Sequence, residues 1–255
     1  MPVGRRRHKK AGRIEIVSVL PVLLTECNVK NRNQQNATTS QTRKEVLMLV
    51  LLDTSEDLTV AASELGMDVG QLITPLTRFV NRGGTFAIDN GGYSQCSPDG
   101  FVSLLEREEV SRQACLFVAV PDVVADARRT LELFDYWYTQ IGKWPLALVA
   151  QDGLEDLSIP WKLISAVFIG GSTSWKHSRH AESIIKCAQW QKKWVHVGRV
   201  NGAGAVRHFE KLNIDSIDGT GLSRYTHMRD AVRLRYTSRQ MHLLTEYTGG
   251  QNERS

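Results

Sequence analysis

No Cys-x-x-Cys pair occurs in the chain. Its four cysteines, Cys27, Cys96, Cys115 and Cys187, are scattered, with no histidine pair at zinc-ligand spacing beside them. That pattern argues against a zinc ribbon and against a disulfide framework, and it reads as reduced thiols in a cytoplasmic protein. Long apolar runs are missing too. Nothing is long enough to span a bilayer, so no membrane partner is expected. The nearest imitation of an export signal is the basic start followed by Ile16 to Leu24. Glu15 interrupts its onset, however, and Thr25-Glu26-Cys27-Asn28 is a poor small-residue cleavage site. Also missing is a dinucleotide-type glycine fingerprint after an early strand, which removes the main support for a doubly wound open sheet. No internal repeat and no domain-splitting linker is visible.

What is present suits one large α/β domain. At 255 residues with 42% hydrophobic and 23% charged, the chain can bury a full core. Eight short apolar runs recur: Glu15 to Leu20, Val46 to Leu52, Thr85 to Ile88, Cys115 to Val120, Leu146 to Ala150, Ala166 to Ile169, Trp194 to Val197 and Ile214 to Ile217. They are apolar on both faces, as expected of strands buried between a core and covering helices. Segments such as Ala125 to Ile141 and Ala203 to Leu212 carry apolar residues at three- and four-residue spacing between them. Eight βα units predict a single-domain (β/α)8 TIM-type barrel. The expected limits are a basic tail at 1–13, the barrel at 14–245 with a polar loop or insertion at 28–42, and a tail at 246–255.

The formal charge is only +5, but the basic residues are uneven, with Arg5 to Lys10 at the start and Arg229, Arg233, Arg235 and Arg239 near the end. A polyanion is one reading; a solvated tail and an ordinary charged last helix is the plainer one.

Two motifs carry chemistry. Ile88-Asp89-Asn90-Gly91-Gly92-Tyr93 and Ile217-Asp218-Gly219-Thr220-Gly221-Leu222-Ser223-Arg224 each end an apolar run in an aspartate beside glycines. In a parallel barrel that position lies on the face where catalytic groups sit. Taken singly, Asp89 is better read as an Asx-turn residue, and either Asp215 or Asp218 as a cap. Three further strand ends add weight: Val120-Pro121-Asp122, Val149-Ala150-Gln151-Asp152-Gly153 and Phe168-Ile169-Gly170-Gly171-Ser172. His196 within its apolar run reads as a satisfied core or rim histidine. Trp175-Lys176-His177 reads either as a stacking and phosphate-contact element or as an exposed helix start.

The order of these motifs, from about Phe86 to Arg224, resembles the tRNA-guanine transglycosylase superfamily. The resemblance implies that Asp218 is the nucleophile and Asp89 the general acid/base. It implies that Asp122 and Gln151 bind the guanine edge, that Gly170 and Gly171 let the base approach backbone amides, and that Tyr93 stacks on the base. Arg199, Arg207 and Arg224 become candidate phosphate contacts. The members acting on tRNA carry three cysteines and a histidine for zinc after the nucleophile. Here His227 and His242 follow Asp218, but no cysteine does. No metal and no cofactor is therefore expected, nor an added RNA-binding domain.

A zinc-free barrel with basic termini looks more like the DNA-guanine transglycosylases of phages and bacteria. The partners implied are DNA, guanine and a 7-deazaguanine base, in the cytoplasm of the cell or of a phage host. The alternatives are tRNA-directed base exchange or an N-glycosidase on the same barrel, and a non-catalytic nucleic-acid-binding barrel. Whether the barrel dimerises is left open.

Overall fold

In the computed structural model the described residues are 48–53, 58–78, 80, 84–92 and 97–234. Eight parallel strands close into a barrel in sequence order: β1 (Leu49–Leu52), β2 (Val69–Ile73), β3 (Phe86–Ile88), β4 (Cys115–Ala119), β5 (Leu146–Ala150), β6 (Ala166–Ile169), β7 (Trp194–Val197) and β8 (Ser216–Asp218). Closure comes from β1, which pairs with both β2 and β8. The connections carry helices α1 (Leu58–Leu65), α2 (Pro98–Glu108), α3 (Ala127–Ile141), α4 (Thr173–Lys176), α5 (Arg179–Trp190) and α6 (Ala203–Lys211); α7 (Thr220–Arg224) follows β8. Residues 226–234 are also helical. The expected (β/α)8 architecture is the one observed. No helix among the described residues is long and apolar enough to cross a membrane.

Seven of the eight anticipated runs coincide with strands. The eighth place in the ring is taken by β2, Val69-Gly70-Gln71-Leu72-Ile73, and not by Glu15 to Leu20, which lies outside the described residues, as do the segments 1–13, 28–42 and 246–255. Gly70 and Gln71 hide β2 from a search for continuous apolar runs. Both are there for packing: a Cβ at Gly70 would sit 2.7 Å from the Thr85 carbonyl oxygen and 2.9 Å from Leu51 Cδ2, and Gln71 is buried.

Strand alternation produces two cores. One fills the barrel with Leu51, Leu72, Ala87, Phe117, Ala119, Ala147, Val149, Ala166 and Phe168. Four alanines there make room for two phenylalanines, whose rings meet edge to face at 6.2 Å. The other core lies between the outer strand faces and the helices; along β5, Leu146, Leu148 and Ala150 join it while Ala147 and Val149 point inward. On β7 and β8 the outward residues Val195, Val197 and Ile217 belong to that outer core. The residues alternating with them, Trp194, His196, Ser216 and Asp218, are therefore placed on the barrel interior.

Helix ends are marked chemically. Asp126 caps α3 by accepting from Arg129 N at 3.0 Å, and the helix buries Ala127, Thr130, Phe134, Trp137 and Ile141, a stripe at three- and four-residue spacing. Ser97 caps α2, with Pro98 in its first turn. Asp215 does the equivalent service at the start of β7, accepting from Val195 N at 2.7 Å. Of the two aspartates near β8, this is the structural one.

Candidate active site

Every strand of the barrel is parallel, so all C-terminal strand ends open on one face. A cavity there is lined by Asp89, Asn90, Asp122, Gln151, Gly170, Arg199 and Asp218, over walls from Leu72, Ala119, Val149 and Phe168. Its volume is about 140 Å³. That is close to the roughly 150 Å³ that admits a single aromatic ring in an apolar protein cavity.

Asp218 ends β8. Its Oδ1 lies 2.9 Å from His196 Nε2, and the Arg199 backbone N–H reaches Oδ1 at 3.2 Å and Oδ2 at 3.3 Å. The turn after it needs glycine for closeness: a Cβ at Gly219 would fall 2.1 Å from the Val200 carbonyl oxygen. The glycines after Asp218 thus admit the neighbouring chain.

Asp89 follows β3 and accepts from Gly91 N at 2.9 Å, the Asx-turn bond its sequence context suggests. It faces the cavity as well. Burial pushes its carboxyl up to about 7; the negative charges of Asp218 and Asp122 add to this, while the Gly91 N–H and Arg199 oppose it. A carboxyl in that range takes up and releases a proton near neutrality.

Asp122 sits between two amides. Its Oδ1 accepts from Asn90 Nδ2 at 2.9 Å and its Oδ2 from Gln151 Nε2 at 2.6 Å. Burial raises the Asp122 carboxyl, against the two amide hydrogen bonds and Arg199. Asn90 also donates to the Val120 carbonyl at 3.0 Å and accepts from Gly92 N; Gln151 Oε1 accepts from Ala125 N at 2.8 Å. Among the described residues this leaves the second Gln151 N–H and the remaining lone pairs of Asp122 without a partner. The neighbouring Asp152 accepts from Ser172 N at 2.7 Å and Ser172 Oγ at 2.6 Å.

Two non-glycine residues at this face hold a left-handed backbone, Ala125 at φ 61° and Arg199 at φ 58°. Each conformation costs about 1–3 kcal/mol. In both, the N–H so directed binds a cavity side chain, Gln151 in one case and Asp218 in the other. The other two such residues, Lys192 and Asn213, follow the ends of α5 and α6, where this conformation closes helices.

Several expected roles change. The amides of Gly170 and Gly171 are spent, both donating to the Ala150 carbonyl at 3.0 and 3.1 Å, so they do not present themselves to a base. Their carbonyls instead accept from Arg199 Nη2, that of Gly171 at 2.7 Å. Gly170 lines the cavity and Gly171 does not. Arg199 is accordingly part of the cavity wall. Arg207 on α6 and Arg224 at the end of α7 are exposed and away from the cavity lining. Tyr93 lies outside the described residues. Arg229 is buried, pairs with Glu64 and donates to the Leu222 carbonyl at 2.8 Å, so it ties the chain together and is not a phosphate contact. Trp175 and Lys176 are buried too: Trp175 Nε1 donates to Glu155 at 3.0 Å and Lys176 Nζ to the Gly198 carbonyl at 2.6 Å. Neither the stacking element nor the exposed helix start describes them. Burial lowers the Lys176 ammonium to about 8, Arg199 adding and Asp218 opposing.

Site residues that the motifs did not single out are His196, Asn90, Asp53, Thr74 and Thr220. Asn90 was within reach, since it lies in the Asp89 motif; Asp53 and Thr74 follow strands β1 and β2, whose ends carry no glycine-rich signal. Among the described residues no group of three or more His, Cys, Asp or Glu side chains is disposed to hold a metal ion.

No protein-family model and no curated protein matches the chain. Among solved structures, phosphoribosyl anthranilate isomerase from Thermus thermophilus is similar over 75% of this chain and 99% of its own, at 11% identity and a TM-score of 0.41. KGPDC from Streptococcus mutans is similar over 73% and 93%, at 12% identity and a TM-score of 0.38. Neither likeness bears on the chemistry of the cavity.

Proposed function

We propose that this barrel exchanges guanine in DNA for a 7-deazaguanine base through a covalent aspartyl-glycosyl intermediate. The observation that carries the reading is the meeting of Asp89 and Asp218 in one ring-sized cavity with the Asp122 and Gln151 pair. In the first half-reaction an Asp218 carboxylate oxygen attacks the anomeric carbon as the bond from that carbon to the purine nitrogen breaks. The departing electron pair stays on the base, which takes its proton from Asp89. In the second half-reaction ionised Asp89 removes a proton from the incoming base, whose nitrogen attacks the same carbon and releases Asp218. Two displacements retain configuration, and Asp89 ends as it began.

The groups suit these parts. A carboxyl near 7 can be acid in one half and base in the other. Asp122 offers acceptor lone pairs and Gln151 a spare N–H, a donor-and-acceptor edge complementary to guanine. The apolar walls of Leu72, Val149 and Phe168 receive a flat ring. A target nucleotide must leave the duplex stack to enter, which costs a few kcal/mol, or be presented already single-stranded.

The test is incubation with radiolabelled guanine and, separately, duplex DNA, single-stranded DNA and tRNA. Label entering DNA but not tRNA is expected. Label entering tRNA alone would move the substrate to RNA; free guanine released without incorporation would make the protein a hydrolase; and DNA binding without either would leave a non-catalytic barrel.

A further inference from the structure

His196 stands on β7 inside the barrel with no exposed surface. Its ring lies against Phe168, centroids 4.5 Å apart, and Phe117 at 5.1 Å. Between these apolar neighbours both ring nitrogens are engaged: Nδ1 lies 2.9 Å from Ser216 Oγ and Nε2 lies 2.9 Å from Asp218 Oδ1. The strand register makes this row, since His196 and Ser216 are paired residues of β7 and β8 and Asp218 is the next inward position beyond Ser216.

Which nitrogen carries the proton follows from the fourth member. Trp194 Nε1 can only donate, and it lies 2.8 Å from the same Ser216 Oγ. Ser216 accepts from Trp194, and its own hydroxyl proton serves His196 Nδ1 where that nitrogen is the unprotonated one of a neutral ring. With Nδ1 an acceptor, the ring proton sits on Nε2 and is donated to Asp218. The opposite tautomer sets an imidazole lone pair against a carboxylate lone pair and leaves the Ser216 proton without that acceptor. One orientation of the whole row satisfies every member, as buried polar groups require.

We propose, on the base-exchange reading above, that His196 is a positioning residue: the row from Trp194 through Ser216 and His196 clamps Oδ1 of Asp218 and leaves Oδ2 as the oxygen that attacks the sugar. The two oxygens are not equivalent. Oδ1 receives His196 and the nearer approach of the Arg199 amide, and Gly198 closes over it, since a Cβ there would lie 3.2 Å from Oδ1. Among the described residues Oδ2 receives only the Arg199 amide, at 3.3 Å. An unclamped aspartate turns about its side-chain torsions, and a carboxylate held with one oxygen presented to the anomeric carbon has that freedom removed before the substrate arrives.

The experiment compares wild type, His196→Leu, His196→Gln, Ser216→Ala and Asp218→Asn in single-turnover exchange on a DNA oligonucleotide. Side-chain nitrogen spectra of histidine-labelled protein are recorded across neutral pH. Misplacing a reacting group costs on the order of 10²-fold in rate, so His196→Leu is expected to lose roughly that in kcat with KM unchanged. His196→Gln keeps an N–H at the Nε2 position and is expected to recover most of the loss, which a merely space-filling histidine would not allow. The wild-type spectrum is expected to show the Nε2–H tautomer, and Ser216→Ala a mixture of tautomers. Wild-type kcat in His196→Leu, no recovery in His196→Gln, or an Nδ1–H tautomer overturns the proposal. Full exchange in Asp218→Asn removes Asp218 as the nucleophile and overturns the proposal with it, whereas no exchange in wild type overturns base exchange instead; the Nε2–H signal then decides whether the His196 clamp on Asp218 survives.

Discussion

Asp122 Oδ2 accepts a 2.6 Å hydrogen bond from Gln151 Nε2, joining the segment after β4 to the one after β5. The two residues assigned to one edge of a base are thus bound to each other first, with Asn90 completing the row on the other side of Asp122 at 2.9 Å. On the base-exchange reading, recognising the ligand and holding the mouth together are one task.

Asp122→Ala removes the acceptor for two amides at once. Leaving buried donors unsatisfied costs about 1–3 kcal/mol, so urea denaturation is expected to show a loss of that order together with weaker discrimination of guanine from adenine. Asp122→Asn, which keeps one acceptor oxygen, is expected to lose discrimination with less loss of stability. Unchanged discrimination in both variants would remove the residue from base recognition.

Asp89 makes stability depend on pH. Its folded pKa of about 7 lies above the ordinary value of 3.8, so the folded state favours the protonated carboxyl. The contribution is fully present below the ordinary value and is lost as pH rises through the interval to about 7, by on the order of 2–4 kcal/mol. Asp89→Asn, neutral throughout, is expected to remove that slope. Parallel denaturation curves for wild type and Asp89→Asn across the interval would contradict the burial of this carboxyl.

Gly198→Ala places a methyl 2.5 Å from Phe168 Cε1 and 3.2 Å from Asp218 Oδ1. Phe168 is packed on Phe117 and His196 and has little room to yield. Overpacking of this kind costs about 1–3 kcal/mol, and exchange is expected to fall further than stability because the displaced atom belongs to Asp218. Thermal unfolding alongside exchange rates separates the two effects.

Arg207 and Arg224 are exposed, whereas Arg229 is buried on Glu64 and main-chain carbonyls. Replacing Arg207 or Arg224 by Ala is expected to weaken DNA binding evenly across sequences and to lower the salt slope by about 1 for each phosphate that is no longer neutralised. Arg229→Ala leaves Glu64 and the Leu222 carbonyl without their partner and is expected to cost about 1–3 kcal/mol of stability. Binding titrations at several salt concentrations, read beside melting curves, distinguish the two kinds of arginine.

The closed barrel was legible because strands such as Leu146-Ala147-Leu148-Val149-Ala150 are continuous apolar runs buried on both faces. β2 was not, because Gly70 is dictated by the approach of Thr85 and Leu51, a meeting of separate segments that no local pattern records. Asp89, Asp122, Gln151 and Asp218 could be placed at strand ends from their motifs. Arg199 could not be separated from the surface arginines, since its place in the wall comes from a left-handed backbone at one residue and from carbonyls on a neighbouring strand end.

What the amino-acid order determined by itself is local: which runs become strands, which stripes become helix faces, and which carboxylates stop a strand beside glycine. These depend on torsional preference and on the spacing of apolar side chains along one segment. Only the folded barrel decided that Asp89 would lie deep enough to hold its proton to about 7, that the Gly170 and Gly171 amides would be spent on Ala150, and that His196 would face Asp218. Burial, charge proximity and hydrogen-bond direction belong to distances between strands, and those distances exist only once the ring has closed.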